Sequence, residues 1–326
     1  MRCIVLVLIV GGLCLGQRLP APIGLPKPLL PGGVVIPLYP AGSPLLRAAK
    51  VSEAEVYNMS ESVPERIASI VNIHNPSIEV HVVEKSNNTG AVIILAAGGG
   101  HNTLNVGMGG LDFVPYFFNY GINTVILRYR LRKDSYDARV DAVNDALQAV
   151  RLVRSYAKEF NFDPNKIGIL GFSAGAELSA PAAVEFLEFD RKNPGVSSRP
   201  DFAGLIYPGP TPFTRGRTAP EIPSNVPPAF IASPGSGDQV HAVWAMEYYS
   251  AMLMKGVPNI EMHLYGNGVH GGGMADREGI PFGTWQTRFI EWFRDLGFLE
   301  KAGVETKAAR DVSEFVTNPP KIRGAH

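Results

Sequence analysis

Lys166-Ile167-Gly168-Ile169-Leu170-Gly171-Phe172-Ser173-Ala174-Gly175-Ala176-Glu177-Leu178 is the stretch from which the rest of the chain is best read. Ile167 to Leu170 is an apolar run of strand length, and from Ala174 onward the residues favour helix. Between them stands Gly171-x-Ser173-x-Gly175. A strand passes into a helix through so short a turn only if the flanking positions lack side chains, and the serine is then held out at the strand end. The pentapeptide is short enough to arise by chance, so its place between strand and helix carries the reading.

Strand-like and helix-like segments alternate on both sides of this turn. Strands are expected over 79–84, 91–97, 123–129, 166–171, 202–207, 229–233 and 260–265, several as continuous apolar runs of the kind that buried strands show. Over 137–160 the apolar residues Val140, Val143, Leu147, Val150, Val153 and Ala157 fall on one helical stripe, and further helices are expected over 174–189, 242–255 and 283–296. This alternation predicts an α/β fold, a mostly parallel central sheet with helices on both faces. Residues 208–227 are rich in proline and hold no amphipathic stripe, so no large cap domain is expected there.

A serine hydroxyl becomes a nucleophile only beside a base that a carboxylate orients. After such an elbow the acid is expected next in the chain and the histidine last. His270, in Gly266-Asn-Gly-Val-His270-Gly-Gly-Gly, follows a candidate strand in a loop loose enough to place an imidazole over the serine. His74 and His81 precede the serine, His263 lies within a strand, His241 starts a helix and His326 is terminal. Asp238 follows the strand before, and is read as the acid; its plainer reading is a helix cap, with Asp201 and Asp190 as alternative acids. Gly98-Gly99-Gly100 ends an upstream strand, so the amides of Gly99 and Gly100, with that of Ala174, are the expected donors to an oxyanion. His101 and Glu177 stand beside these positions and are expected to touch substrate.

The glycine triplet lacks both the lysine and hydroxyl residue of a phosphate loop and the Gly-x-Gly-x-x-Gly spacing, so no nucleotide cofactor is expected. His-x-x-x-His and paired-cysteine motifs do not occur, so no metal is expected either. Thirty basic residues balance thirty acidic ones, which gives no electrostatic basis for a nucleic-acid partner.

Residues 1–16, a charged start followed by a short apolar run, are read as a signal peptide, with secretion and no stable membrane insertion after its removal. Both cysteines, Cys3 and Cys14, fall inside it, so the exported chain would rely on a large core and not on disulfides. Residues 17–48, rich in proline and glycine, are expected to form an extended arm, 49–300 the catalytic domain, and 301–326 a loosely held tail. Asn58-Met-Ser60 and Asn87-Asn-Thr89 fit the glycosylation sequon.

From about residue 91 to 299 the chain resembles the α/β hydrolases grouped with acetylxylan and feruloyl esterases, and more broadly the hormone-sensitive-lipase-like esterases. The resemblance rests on Gly98-Gly99-Gly100 after a strand, Arg128-Tyr129-Arg130-Leu131, Phe162-Asp163-Pro164 after the long helix, the elbow around Ser173, and Gly256-Val257-Pro258 before the histidine strand. It implies an α/β-hydrolase fold and a serine carboxylesterase acting on acetyl or feruloyl-type esters, small or attached to polysaccharide. A lipase or serine peptidase on the same fold, or a non-catalytic binding protein that keeps it, are the alternatives. Ala176-Glu177 stands where similar sequences place Gly-His, and His101 where an aromatic is usual.

Overall fold

A computed structural model describes residues 26–320; the expected signal peptide and the start of the arm lie outside them. The strands are β1 (Val34–Pro37), β2 (Val56–Met59), β3 (Ile67–Val71), β4 (Ser77–His81), β5 (Val92–Ala96), β6 (Asn123–Arg128), β7 (Ile167–Phe172), β8 (Ala203–Ile206), β9 (Ala229–Pro234) and β10 (Glu261–Tyr265). The α-helices are α1 (Phe113–Phe118), α2 (Val143–Ser155), α3 (Ala157–Phe160), α4 (Ala174–Lys192), α5 (Gln239–Lys255), α6 (Trp285–Asp295) and α7 (Lys307–Thr317).

Eight strands form one sheet in the order β1-β4-β6-β5-β7-β8-β9-β10, while β2 and β3 pair separately. β4 runs antiparallel to both β1 and β6, and every pairing from β6 through β10 is parallel. The central strands β5, β6 and β7 are buried along their whole length; β5 and β7 accordingly read as apolar runs, while β6 buries Asn123, Thr124 and Arg128 at its ends. Alternate residues of β9 serve opposite faces. Phe230 meets Phe289 of α6 edge-on at 5.4 Å, whereas Ala229 and Ile231 cluster with Tyr248 and Met252 of α5 and Ala176 and Ala180 of α4. All seven strands expected from the sequence are present, as is the strand–turn–helix at Ser173.

Two expectations about the ends are corrected. The described part of the arm is bound to the domain: β1 forms the sheet edge, Leu38 and Tyr39 are buried, and the Tyr39 hydroxyl donates to Asp145 at 2.9 Å. Proline excludes a central strand but is tolerated on an edge, where one side of the ladder needs no donor. The C-terminal segment is not a loose tail up to Asn318 either. Thr306 caps α7 by accepting from the Ala309 amide at 3.0 Å, and Ala308, Val312 and Phe315 turn one helical stripe into the core.

The long helical stripe is interrupted. A π-helical turn over Ala138–Ala142 precedes α2, and Val140, which the stripe included, is 55% exposed. Between β8 and β9, residues 207–228 contain no helix or strand, so no cap covers the sheet at that point. Among the described residues no helix is long and apolar enough to cross a membrane. Asn58 and Asn87 are both exposed.

Candidate active site

The turn after β7 holds Ser173 at φ 54°, ψ −118°, a conformation that L-residues rarely adopt and that costs on the order of 1–3 kcal/mol. Three bonds hold it there. The Ser173 amide donates to Ile206 at 3.0 Å, and its carbonyl accepts from Gly209 at 3.1 Å and from Glu177 at 2.9 Å. A Cβ on Gly175 would overlap the Ala96 carbonyl oxygen, so glycine there lets α4 pack against the end of β5.

Ser173 Oγ lies 2.8 Å from Nε2 of His270, and His270 Nδ1 lies 2.6 Å from Oδ2 of Asp238. Serine comes from the end of β7, Asp238 from the loop after β9 and His270 from the loop after β10, so three parallel strands, with β8 between the first two, deliver the three side chains to the C-terminal end of the sheet. Asp238 precedes α5 without a side-chain capping bond; both its oxygens go to imidazoles, the second being His241 Nδ1 at 2.5 Å. The alternative acids are engaged elsewhere, Asp201 with Arg154 and Arg199, and Asp190 with Ser197 and Ser198.

A cavity of about 430 Å³ opens beside Ser173 and is lined by Gly98, Gly99, Gly100, Tyr207, His241 and His270 among others. Among the described residues the amides of Gly99, Gly100 and Ala174 donate to no other group, and the first helical amides of α4 are free by geometry. Gly99 has φ 131°, which a side chain would resist. Its loop is pinned from below: the Tyr129 hydroxyl donates to Ala97 at 2.7 Å and Arg132 donates to the Gly100 carbonyl at 3.0 Å. Tyr129 belongs to the Arg128-Tyr129-Arg130-Leu131 segment, whose two arginines are buried against Glu79 and Asp145.

His101 and Glu177, expected to touch substrate, do not line this cavity. His101 is buried and its Nε2 lies 3.3 Å from Glu177 Oε2, so the two side chains pair with each other. Glu177 instead borders a separate hollow of about 370 Å³ with Arg139 and Arg217. Tyr207 and His241 are the residues that sequence reasoning passed over. The Tyr207 ring meets His270 edge-on at 4.9 Å, its oxygen accepts from the Gly273 amide at 3.2 Å, and burial pushes its hydroxyl pKa up, so it stays protonated. The spacing Asp238-x-x-His241 at a helix start places both on one face and is the signal that was available. Asp238, His241 and His270 also offer three ligand atoms within 4.8 Å of one another, a group hidden from motif searches because His270 comes from another loop.

The sheet order and this arrangement of residues have the form of the α/β-hydrolase fold. Residues 78–200 match the family model described as BD-FAE. The chain is 29% identical to an acetylxylan esterase of Xylanibacter ruminicola over 237 residues, which are 65% of this chain and 45% of that protein. It is 27% identical to endo-1,4-beta-xylanase B of Butyrivibrio fibrisolvens over 187 residues, 50% of this chain and 29% of that protein. The chain thus spans less than half the length of these curated relatives. Among solved structures, an acetyl ester-xyloside bifunctional hydrolase from Caldicellulosiruptor lactoaceticus superposes with a TM-score of 0.64 at 25% identity, covering 83% of this chain and 99% of that one. Residues 78–200 thus match the BD-FAE family model, in a chain of α/β-hydrolase fold that is distantly homologous to acetylxylan esterase.

Proposed function

We propose that this chain is a secreted serine carboxylesterase that removes acetyl or feruloyl-type groups from polysaccharide or small esters. The observation that carries the reading is the continuous relay from Ser173 Oγ through His270 to Asp238 at 2.8 and 2.6 Å. Ser173 attacks the ester carbonyl while His270 Nε2 takes its proton, and Asp238 holds the imidazole tautomer and stabilises its charged form. Negative charge gathers on the carbonyl oxygen, where the free amides of Gly99, Gly100 and Ala174 receive it. The intermediate collapses, the alcohol leaves with the proton from His270, and water repeats the sequence to release the acid.

The similarity to an acetylxylan esterase and to an acetyl ester-xyloside bifunctional hydrolase supports an acetylated sugar as substrate. The absence of a cap over 207–228 supports access by an ester on a polymer. The apolar run within residues 1–16 supports export.

The test is hydrolysis of p-nitrophenyl acetate by the chain lacking residues 1–16, beside Ser173→Ala, followed by acetylated xylan and methyl ferulate. Turnover is expected in the wild type and a loss of at least about a thousandfold in the variant. A folded wild type without turnover would remove the proposal, and a strict preference for long-chain lipid esters would remove the substrate assignment.

A further inference from the structure

Asp238 carries two imidazoles, one on each carboxylate oxygen: His270 on Oδ2 at 2.6 Å and His241 on Oδ1 at 2.5 Å. The two rings stack with centroids 3.8 Å apart and planes inclined by 26°. The Asp238 side chain is 7% exposed and has no other hydrogen-bond donor among the described residues. A carboxylate held through one oxygen swivels about its Cβ–Cγ bond; held through both, it presents a fixed lone pair to the base.

We propose that His241 is a positioning residue, clamping the second oxygen of Asp238 and so fixing the orientation of His270. The kinetic part of this rests on the proposed esterase reading. The titratable groups facing His241 are Asp238, His270 from the loop after β10 and Glu177 from α4, with the Trp244 ring edge-on at 5.0 Å. Burial lowers the pKa of His241 more than its hydrogen bond to Asp238 raises it, so near neutrality it is an uncharged donor with its proton on Nδ1. As a donor it draws on the carboxylate charge that would otherwise act on His270 alone.

Two variants separate the clamp from mere packing. His241→Phe keeps a flat ring under His270 and deletes the donor; His241→Asn deletes the ring and sets an amide N–H near the position of Nδ1. The Phe variant is expected to lose about tenfold or more in kcat on p-nitrophenyl acetate at nearly unchanged KM, and the Asn variant to stay within about threefold of wild type. In protein labelled with ¹⁵N-histidine, the downfield Nδ1 proton of His270 is expected to move or broaden in the Phe variant and persist in the Asn variant. Wild-type kinetics with an unmoved resonance in the Phe variant would overturn the clamp, and so would equal losses in both variants, which would assign the effect to ring packing. If the wild type hydrolyses no ester, the esterase reading fails while the resonance still decides the clamp.

Discussion

Ser173 sits in a strained backbone conformation because the residues around it leave no other path, and the glycines on either side are part of that constraint. Gly175→Ala adds a methyl group where the Ala96 carbonyl oxygen already lies, so either α4 or the end of β5 must shift. The variant is expected to lose about 3 kcal/mol of stability and nearly all turnover, checked by chemical denaturation and p-nitrophenyl acetate hydrolysis. The serine and its glycines were legible in the sequence because a strand, a tight turn and a helix are consecutive. The contact between His241 and Asp238 spans only three residues and was equally local, yet it was passed over because a histidine at a helix start has a plainer reading. His101 has neighbours in sequence that line the cavity, but at φ 57° its own side chain is buried and lies against Glu177.

At the scale of elements, the prolines of the arm concealed an edge strand. β1 ends at Pro37, paired with Ser77, and Leu38 then turns inward, its amide donating to Pro76 at 2.9 Å and its side chain 1% exposed. Leu38→Ala is expected to cost about 2–5 kcal/mol, read as a lower urea midpoint at an unchanged slope; an effect below about 0.5 kcal/mol would mean that the arm is not docked in solution. Helix α7 was concealed by its polar composition, although Ala308, Val312 and Phe315 have helical spacing. Strands in the sheet interior suffered no such ambiguity. Burial on both faces favours apolar residues, and in β5 and β7 that demand is visible in one dimension.

Across the whole molecule, pH acts through a histidine whose burial favours its neutral form. His74 is 3% exposed, with Nδ1 2.9 Å from the Tyr136 hydroxyl and Nε2 2.9 Å from Asn72, and burial lowers its pKa below the ordinary 6.5. The unfolded chain therefore takes up a proton at that residue first as pH falls. Stability contributed by neutral His74 is present above about pH 6.5 and declines below it, until the folded protein is protonated as well. Thermal unfolding at about pH 7.5 and about pH 5.5 is expected to show a smaller drop in Tm for His74→Gln, which keeps hydrogen-bonding groups but cannot titrate. An equal drop in variant and wild type would assign the acid sensitivity to other groups.

Local sequence determined the sheet-and-helix alternation and the elbow, because each depends on periodicity or on residues a few positions apart. Folding alone decided that Asp238 is divided between two imidazoles, that Tyr207 packs against His270, and that His101 and Glu177 pair away from the cavity. Those outcomes depend on where parallel strands from distant parts of the chain set down their loops. The distances between the loops come from packing the sheet against its helices, a constraint that no single segment carries.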